Sequence, residues 1–215
     1  MAGEAHELGL DYLGIADHSQ SSFQANGLNE TRLAEQIELI AQYNAKSPDF
    51  HVFAGSEVDI LKDGRLDFPD DVMARLDYVV ASVHNAMSQD EEAMTARVIR
   101  AIENEYVTML GHATGRLLLQ REPYKINLEK IIDCAARTGT WIELNCSSMR
   151  MDLDWRWWRR ARDKGVKCVI NPDAHRVAQF AMLRHGVTMV RKGWLRREDV
   201  MNTMPLNAMR KALAR

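Results

Sequence analysis

Cysteine is scarce in this chain. Its 215 residues include only Cys134, Cys146 and Cys168, far apart and without a CxxC pair. An odd, scattered set fits thiols kept reduced in the cytosol better than a disulfide framework. Charge of one sign is equally lacking. The 28 Lys and Arg against 30 Asp and Glu leave a formal net charge of −2, so no global basic field points to nucleic acid and any such contact has to be local. No apolar stretch approaches the length of a membrane span, and the N-terminus MAGEAHELGL lacks the basic-then-apolar pattern of a signal peptide. A cytoplasmic protein with no membrane partner is expected. The few prolines and glycines mark turns such as FPDD and KDGRLD, not linkers, and there is no repeat or low-complexity tract. One domain over residues 1–215 follows, long enough to bury a full core. Three signatures are also missing: a GxSxG elbow, a Walker loop and a GxGxxG after a strand.

What is present is alternation. Short apolar runs, YLGIADH, HVFAGSEVD, DYVVASVH, YVTMLGH, TWIELNC, KCVINPDAH and a weaker GVTMV, read as strands. Between them lie ETRLAEQIELIAQYNAK, DFPDDVMARL, EEAMTARVIRAIENE, NLEKIIDCAARTG and LDWRWWRRARDKG, where apolar residues recur at three and four positions. This order predicts an α/β fold with a parallel sheet covered by helices, either open and doubly wound or closed into a barrel. Glycine in RTGT and DKGV suits helix C-caps, and the Asn of NLEK suits an N-cap.

The polar residues fall in an informative place. Five runs receive an acid or a histidine at their C-terminal end: Asp17 and His18, Glu57 and Asp59, His84, His112, then Asp173 and His175. C-terminal strand ends of parallel α/β folds converge on one mouth, where ligands and catalytic groups collect. Imidazoles offer nitrogen lone pairs and a carboxylate can bridge two cations, so this is the composition of a metal site. A cation would also explain how LGIADHSQSS (Leu13 to Ser22) ends a buried strand in Asp17 and His18, two groups costly to bury without partners. His6, His51 and His185 occupy helices, loops or a strand start, and are assigned no role in the site.

Other chemistries are weaker. Cys146 ends WIELNC at the same mouth but reads as a small core residue, not a thiolate. In DWRWWRRAR, Trp155, Trp158 and Arg162 share one helical face and Trp157 lies away from it. The reading favoured is an amphipathic helix whose indoles cover the sheet, over an aromatic and basic nucleic-acid platform.

The segments GIADHSQSSFQANGL, GSEVDILKDGRLDFPDDVMARLDYVVASVH, GHATGRLLLQREPY, IELNCSSMRMDLDW and NPDAH followed by GVTMVRKGWL resemble the PHP domain, the polymerase and histidinol phosphatase family. The likeness is strongest to the PHP domain at the C-terminal end of bacterial and archaeal family X DNA polymerases, and it runs from about Gly9 to Met204. It implies a distorted TIM-like (β/α)7 barrel with up to three divalent ions, manganese, zinc or iron, at its C-terminal mouth. On matching positions the implied ligands are His18, Glu57, His84, His112, Asp173 and His175. Arg116 in GHATGR is the implied phosphate-contacting arginine, and Asp17 the carboxylate that orients a ligand. The implied activity is metal-assisted hydrolysis of a DNA phosphodiester, as a 3′–5′ exonuclease or an abasic-site repair enzyme, with a polymerase domain upstream in the parent protein. The alternatives are a small-molecule phosphatase of the histidinol phosphate type and a catalytically impaired structural remnant.

One departure from the family pattern stands out. Family members begin with a strand ending in His-x-His, and no such segment occurs here. MAGEAHELGL resembles the helix that follows it, so the chain is expected to be truncated at its N-terminus and to lack the first barrel strand. Fewer than three metals are then expected. Two uncovered sheet edges also favour a dimer.

Overall fold

A computed structural model describes residues 1–214. The elements follow in the order α1 (Ala2–Glu7), β1 (Tyr12–His18), α2 (Glu30–Lys46), β2 (His51–Asp59), α3 (Asp70–Met73), β3 (Tyr78–Ser82) and α4 (Glu91–Ile102). After these come β4 (Met109–Leu110), α5 (Leu128–Thr138), β5 (Trp141–Asn145), α6 (Trp155–Asp163), β6 (Cys168–Asn171), α7 (Leu183–Lys192) and α8 (Leu206–Leu213). All six strands form one parallel sheet in the order β1-β2-β3-β4-β5-β6. The sheet is curled as a half-barrel of the distorted TIM-like kind, and β1 and β6 are its two edges.

The helices start where the sequence supplies a cap. Side chains of Asn29, Asp90, Asn127 and Asp154 accept from the first free backbone N–H groups of α2, α4, α5 and α6. Strand alternation then splits the core in two. Outward residues such as Val58, Val79, Ala81, Ile142 and Ile170 pack under the helices with Leu33, Ile131 and Trp158. Inward residues Phe53, Tyr78, Val80, Met109, Trp141 and Val169 pack together inside the curl and meet Met201 and Met209 from the C-terminal segment. Trp158 is fully buried and donates its indole N–H to the Leu153 carbonyl, and Lys192 sits over the ring of Trp155. Trp158 is in the core, as the amphipathic pattern of α6 indicated, but Trp157, expected away from the buried face, also packs against the core, whereas Trp155 lies beside Lys192 of α7 instead. No helix among the described residues is long and apolar enough to cross a membrane.

The structure corrects one element. GVTMV, expected as a seventh strand, lies within α7. Its buried residues, Gly186 and Val190, are four apart, which is the period of a helix lying on a sheet. Gly186 is required by that approach, because a Cβ there would come within 2.3 Å of Ile170 Cγ2.

Candidate metal centre

Inward residues at the C-terminal strand ends form the mouth. Glu57, near the end of β2, is the hub. His112 Nε2 and His84 Nε2 lie 3.0 and 3.3 Å from its Oε1, and His18 Nδ1 lies 3.2 Å from its Oε2. The rings of His18 and His84, and of His84 and His112, are 4.8 and 5.0 Å apart and nearly perpendicular. His84 and His112 sit two residues past β3 and β4. His112 reaches inward through a left-handed backbone (φ 22°), a conformation that tends to cluster at functional sites.

These contacts are too poorly aligned to be hydrogen bonds. His18 Nδ1, His84 Nε2 and both ring nitrogens of His112 are buried without a hydrogen-bond partner. Unpartnered buried nitrogens are costly unless something accepts their lone pairs. Separations near 3.2 Å match the edge of a tetrahedron of ligands about 2.0–2.1 Å from one ion. Glu57, His84 and His112 thus present a donor set that fits a divalent metal, and His18, Asp59 and His84 form a second close group.

The acids and imidazoles of the cluster support one another's charged forms. Burial works against ionisation of Glu57, but His112 and His84 hold its carboxyl well below the usual range. Burial likewise opposes a charge on His84, yet Asp59 and Glu57 push it up to about 9. Burial raises Glu143 to about 7, with His112 opposing and Asp173 adding to the rise.

Asp173 and His175 stand across the mouth. Asp173, also left-handed (φ 50°), accepts from Asn145 Nδ2 at 3.1 Å and lies 3.5 Å from Arg150 Nε. His175 is two-thirds exposed, its Nδ1 lies 2.9 Å from the Asp173 carbonyl, and its ring is 6.4 Å from that of His18. A groove of about 910 Å³ connects these groups and runs between β1 and β6.

Two expected residues are placed elsewhere. Asp17 is adjacent to His18 on β1 and so points to the opposite face, where its carboxylate accepts from Gln36 of α2. The carboxylate that meets the other ring nitrogen of His84 is Asp59, with Oδ1 2.5 Å from His84 Nδ1. Each guanidinium nitrogen of Arg116 donates within the protein, to the carbonyls of Arg150 and Met151 and to Asp154. It braces the loop after β5. That loop carries Arg150, whose Nη1 is buried without a partner. Glu143 was not singled out in the sequence either. It accepts from the His112 N–H at 2.6 Å and from Asn171 Nδ2 at 3.0 Å. An acid inside the apolar run WIEL was the available signal. Cys146 is buried, and burial pushes its thiol up to about 12, so it is not a nucleophile at neutral pH.

No family model matches the chain. It is 39% identical over its full 215 residues to the DNA polymerase/3′-5′ exonuclease PolX of Bacillus subtilis, of which it spans 38%. It is 30% identical over 184 residues to a probable phosphatase of Aliivibrio fischeri, covering 80% of this chain and 68% of that protein. The chain belongs to the PHP family. The family fold is shared with the histidinol phosphate phosphatase of Lactococcus lactis, solved with zinc, L-histidinol and phosphate. That match has a TM-score of 0.59 at 15% identity and covers 90% of this chain and 86% of the other.

Proposed function

We propose that the chain is a metal-dependent phosphoesterase domain that hydrolyses DNA phosphodiesters, as a 3′–5′ exonuclease or in abasic-site repair. The observation that carries the reading is the convergence of unpartnered imidazole nitrogens on Glu57 at the mouth of a parallel half-barrel. Glu57, His84 and His112 would hold one divalent ion, and His18, Asp173 and His175 are the donors available to others. Manganese, zinc or iron suit this mixture of imidazole and carboxylate. Bound there, a divalent ion lowers the pKa of water and neutralises charge on a phosphoryl group.

The protein's own groups account for orientation. Arg150 supplies a guanidinium with a free nitrogen, and Arg121 lies close enough that its pKa falls through burial and then through repulsion from Arg150. Two neighbouring guanidiniums favour an anion between them, and we assign the phosphate contact to Arg150. Arg116 acts on the same step by bracing the loop that carries it. Similarity to PolX across the whole chain supports the DNA substrate and a polymerase region in the same polypeptide. A phosphomonoesterase is the second reading, favoured by the Aliivibrio fischeri relative, of which the chain spans more than two thirds. A cytoplasmic setting fits the three free, buried cysteines, and the edge of β1 is the surface proposed for a dimer, because the outer edge of β6, expected to be uncovered, is bonded to Val200 and Asn202.

The test is hydrolysis of a 3′-labelled DNA strand and of a small aryl phosphate, each titrated with Mn²⁺. Manganese-dependent release of nucleotides supports the proposal. Turnover of the aryl phosphate alone favours the second reading, and no turnover of either favours the catalytically impaired remnant.

A further inference from the structure

The loop after His18 carries three serines, Ser19, Ser21 and Ser22, for which the metal site itself has no use. All three converge on Asp59, which is fully buried and lies on the inner row of β2 two residues beyond Glu57. Ser19 Oγ accepts from the Asp59 N–H at 2.9 Å. Ser21 Oγ donates to Asp59 Oδ2 at 2.5 Å, and Ser22 Oγ donates to Oδ1 and Oδ2 at 3.0 and 3.1 Å. The remaining partner is His84, with Nδ1 2.5 Å from Oδ1. Asp67 closes the ring, accepting from the Ser21 N–H at 2.8 Å and donating its own N–H to the Asp59 carbonyl at 3.0 Å. One carboxylate thus ties the loop after β1, the end of β2 and the imidazole beyond β3.

We propose that Asp59 is a positioning residue, clamped by Ser21 and Ser22, that fixes the His84 ring with Nε2 turned toward Glu57 and thereby sets the metal affinity of the mouth. The inference rests on the metal reading of the cluster. Proximity alone would allow a different role, since Asp59 groups with His18 and His84 closely enough to surround an ion. The hydrogen bonds decide against it. At 2.5 Å, Asp59 Oδ1 and His84 Nδ1 are in direct hydrogen-bond contact, closer than the edge between two ligands of one ion allows. Both carboxylate oxygens already accept from serine hydroxyls. With Nδ1–H given to Asp59, the lone pair of His84 is on Nε2, the nitrogen 3.3 Å from Glu57 with no hydrogen-bond partner. The serines hold the carboxylate in place, so the ring is oriented before a metal arrives and less freedom is lost on binding.

The test is calorimetric titration of Mn²⁺ into the full chain after chelator treatment, with circular dichroism and thermal melting to confirm the fold. The variants are Asp59→Ala, Asp59→Asn, the double Ser21→Ala/Ser22→Ala, and His84→Ala. His84→Ala is expected to lose binding at this centre. Asp59→Ala should weaken it by about 10–100-fold, the usual cost of removing such an outer partner. Asp59→Asn should lose less, because an amide oxygen still accepts from Nδ1–H, and the serine double variant least. At saturating Co²⁺ the visible spectrum of Asp59→Asn should match the wild type, since the ligand count is unchanged. If Asp59→Ala does not fold, Asp59→Asn and the serine variant carry the test. Normal affinity in every Asp59 and serine variant, with His84→Ala defective, overturns the positioning role while leaving the metal reading intact. A changed Co²⁺ spectrum in Asp59→Asn makes Asp59 a ligand and overturns the proposal. Unimpaired binding in His84→Ala overturns the metal reading itself.

Discussion

The two sides of the mouth differ in how firmly they are built. On one side Glu57 and His112 are buried, His84 is held by Asp59, and Glu143 fixes the backbone of His112. On the other, His175 is largely exposed and its ring nitrogen is bonded to its own chain, while Asp173 is shared between Asn145 and Arg150. The first side is organised by carboxylates from the sheet interior, and the second by a single strand residue, Asn145, together with the loop residue Arg150. A donor set held by buried strands keeps its geometry without a ligand, whereas one carried on loops depends on what it binds.

Breaking the first side should have the largest effect. His112→Ala and His84→Ala are each expected to cut hydrolysis by more than about 100-fold, beyond the cost of losing an outer partner; steady-state rates on the preferred substrate check this. Arg150→Ala removes the proposed phosphate contact. A charge-assisted hydrogen bond contributes about 1.5–3 kcal/mol, so kcat/KM should fall roughly 10–100-fold, with Arg116→Ala lower in effect because that side chain acts only through the loop. His175→Ala, on the looser side, should cost about tenfold, at the low end of such changes; a loss equal to that of His112→Ala would erase the difference between the two sides.

The smallest effect is a pH dependence of the metal-free chain. In the fold the pKa of His84 is raised from 6.5 to about 9, against burial, by Asp59 and Glu57. The stability it contributes is fully present below the unfolded value and is lost as pH rises through about 9. In excess chelator, the melting temperature of the wild type should exceed that of His84→Gln most below pH 6.5, and the gap should shrink toward pH 9. A gap that is constant across that range would contradict the assigned pairing.

Most of the fold was legible from periodicity. Six apolar runs became the six strands, and Asn127 and Gly139 cap α5 as NLEK and RTGT indicated. GVTMV misled because three of its five residues are β-branched, while its burial period, set by packing on β6, is helical. In the site, residue identity at strand ends located His18, Glu57, His84 and His112. Strand alternation explains the rest. Residues two apart share a face, so Asp59 accompanies Glu57 inward while Asp17 is turned away from His18. Arg116 and Arg150 could not be told apart from sequence, since the choice depends on which one a neighbouring loop has already taken up.

The central claim is that Glu57, His84 and His112 share one cation. Anomalous diffraction from crystals grown with Zn²⁺ or Mn²⁺ tests it most directly. The account predicts a peak about 2.0–2.2 Å from a Glu57 oxygen, His84 Nε2 and His112 Nε2. Density elsewhere at full occupancy, with these three side chains left as they are here, would contradict it.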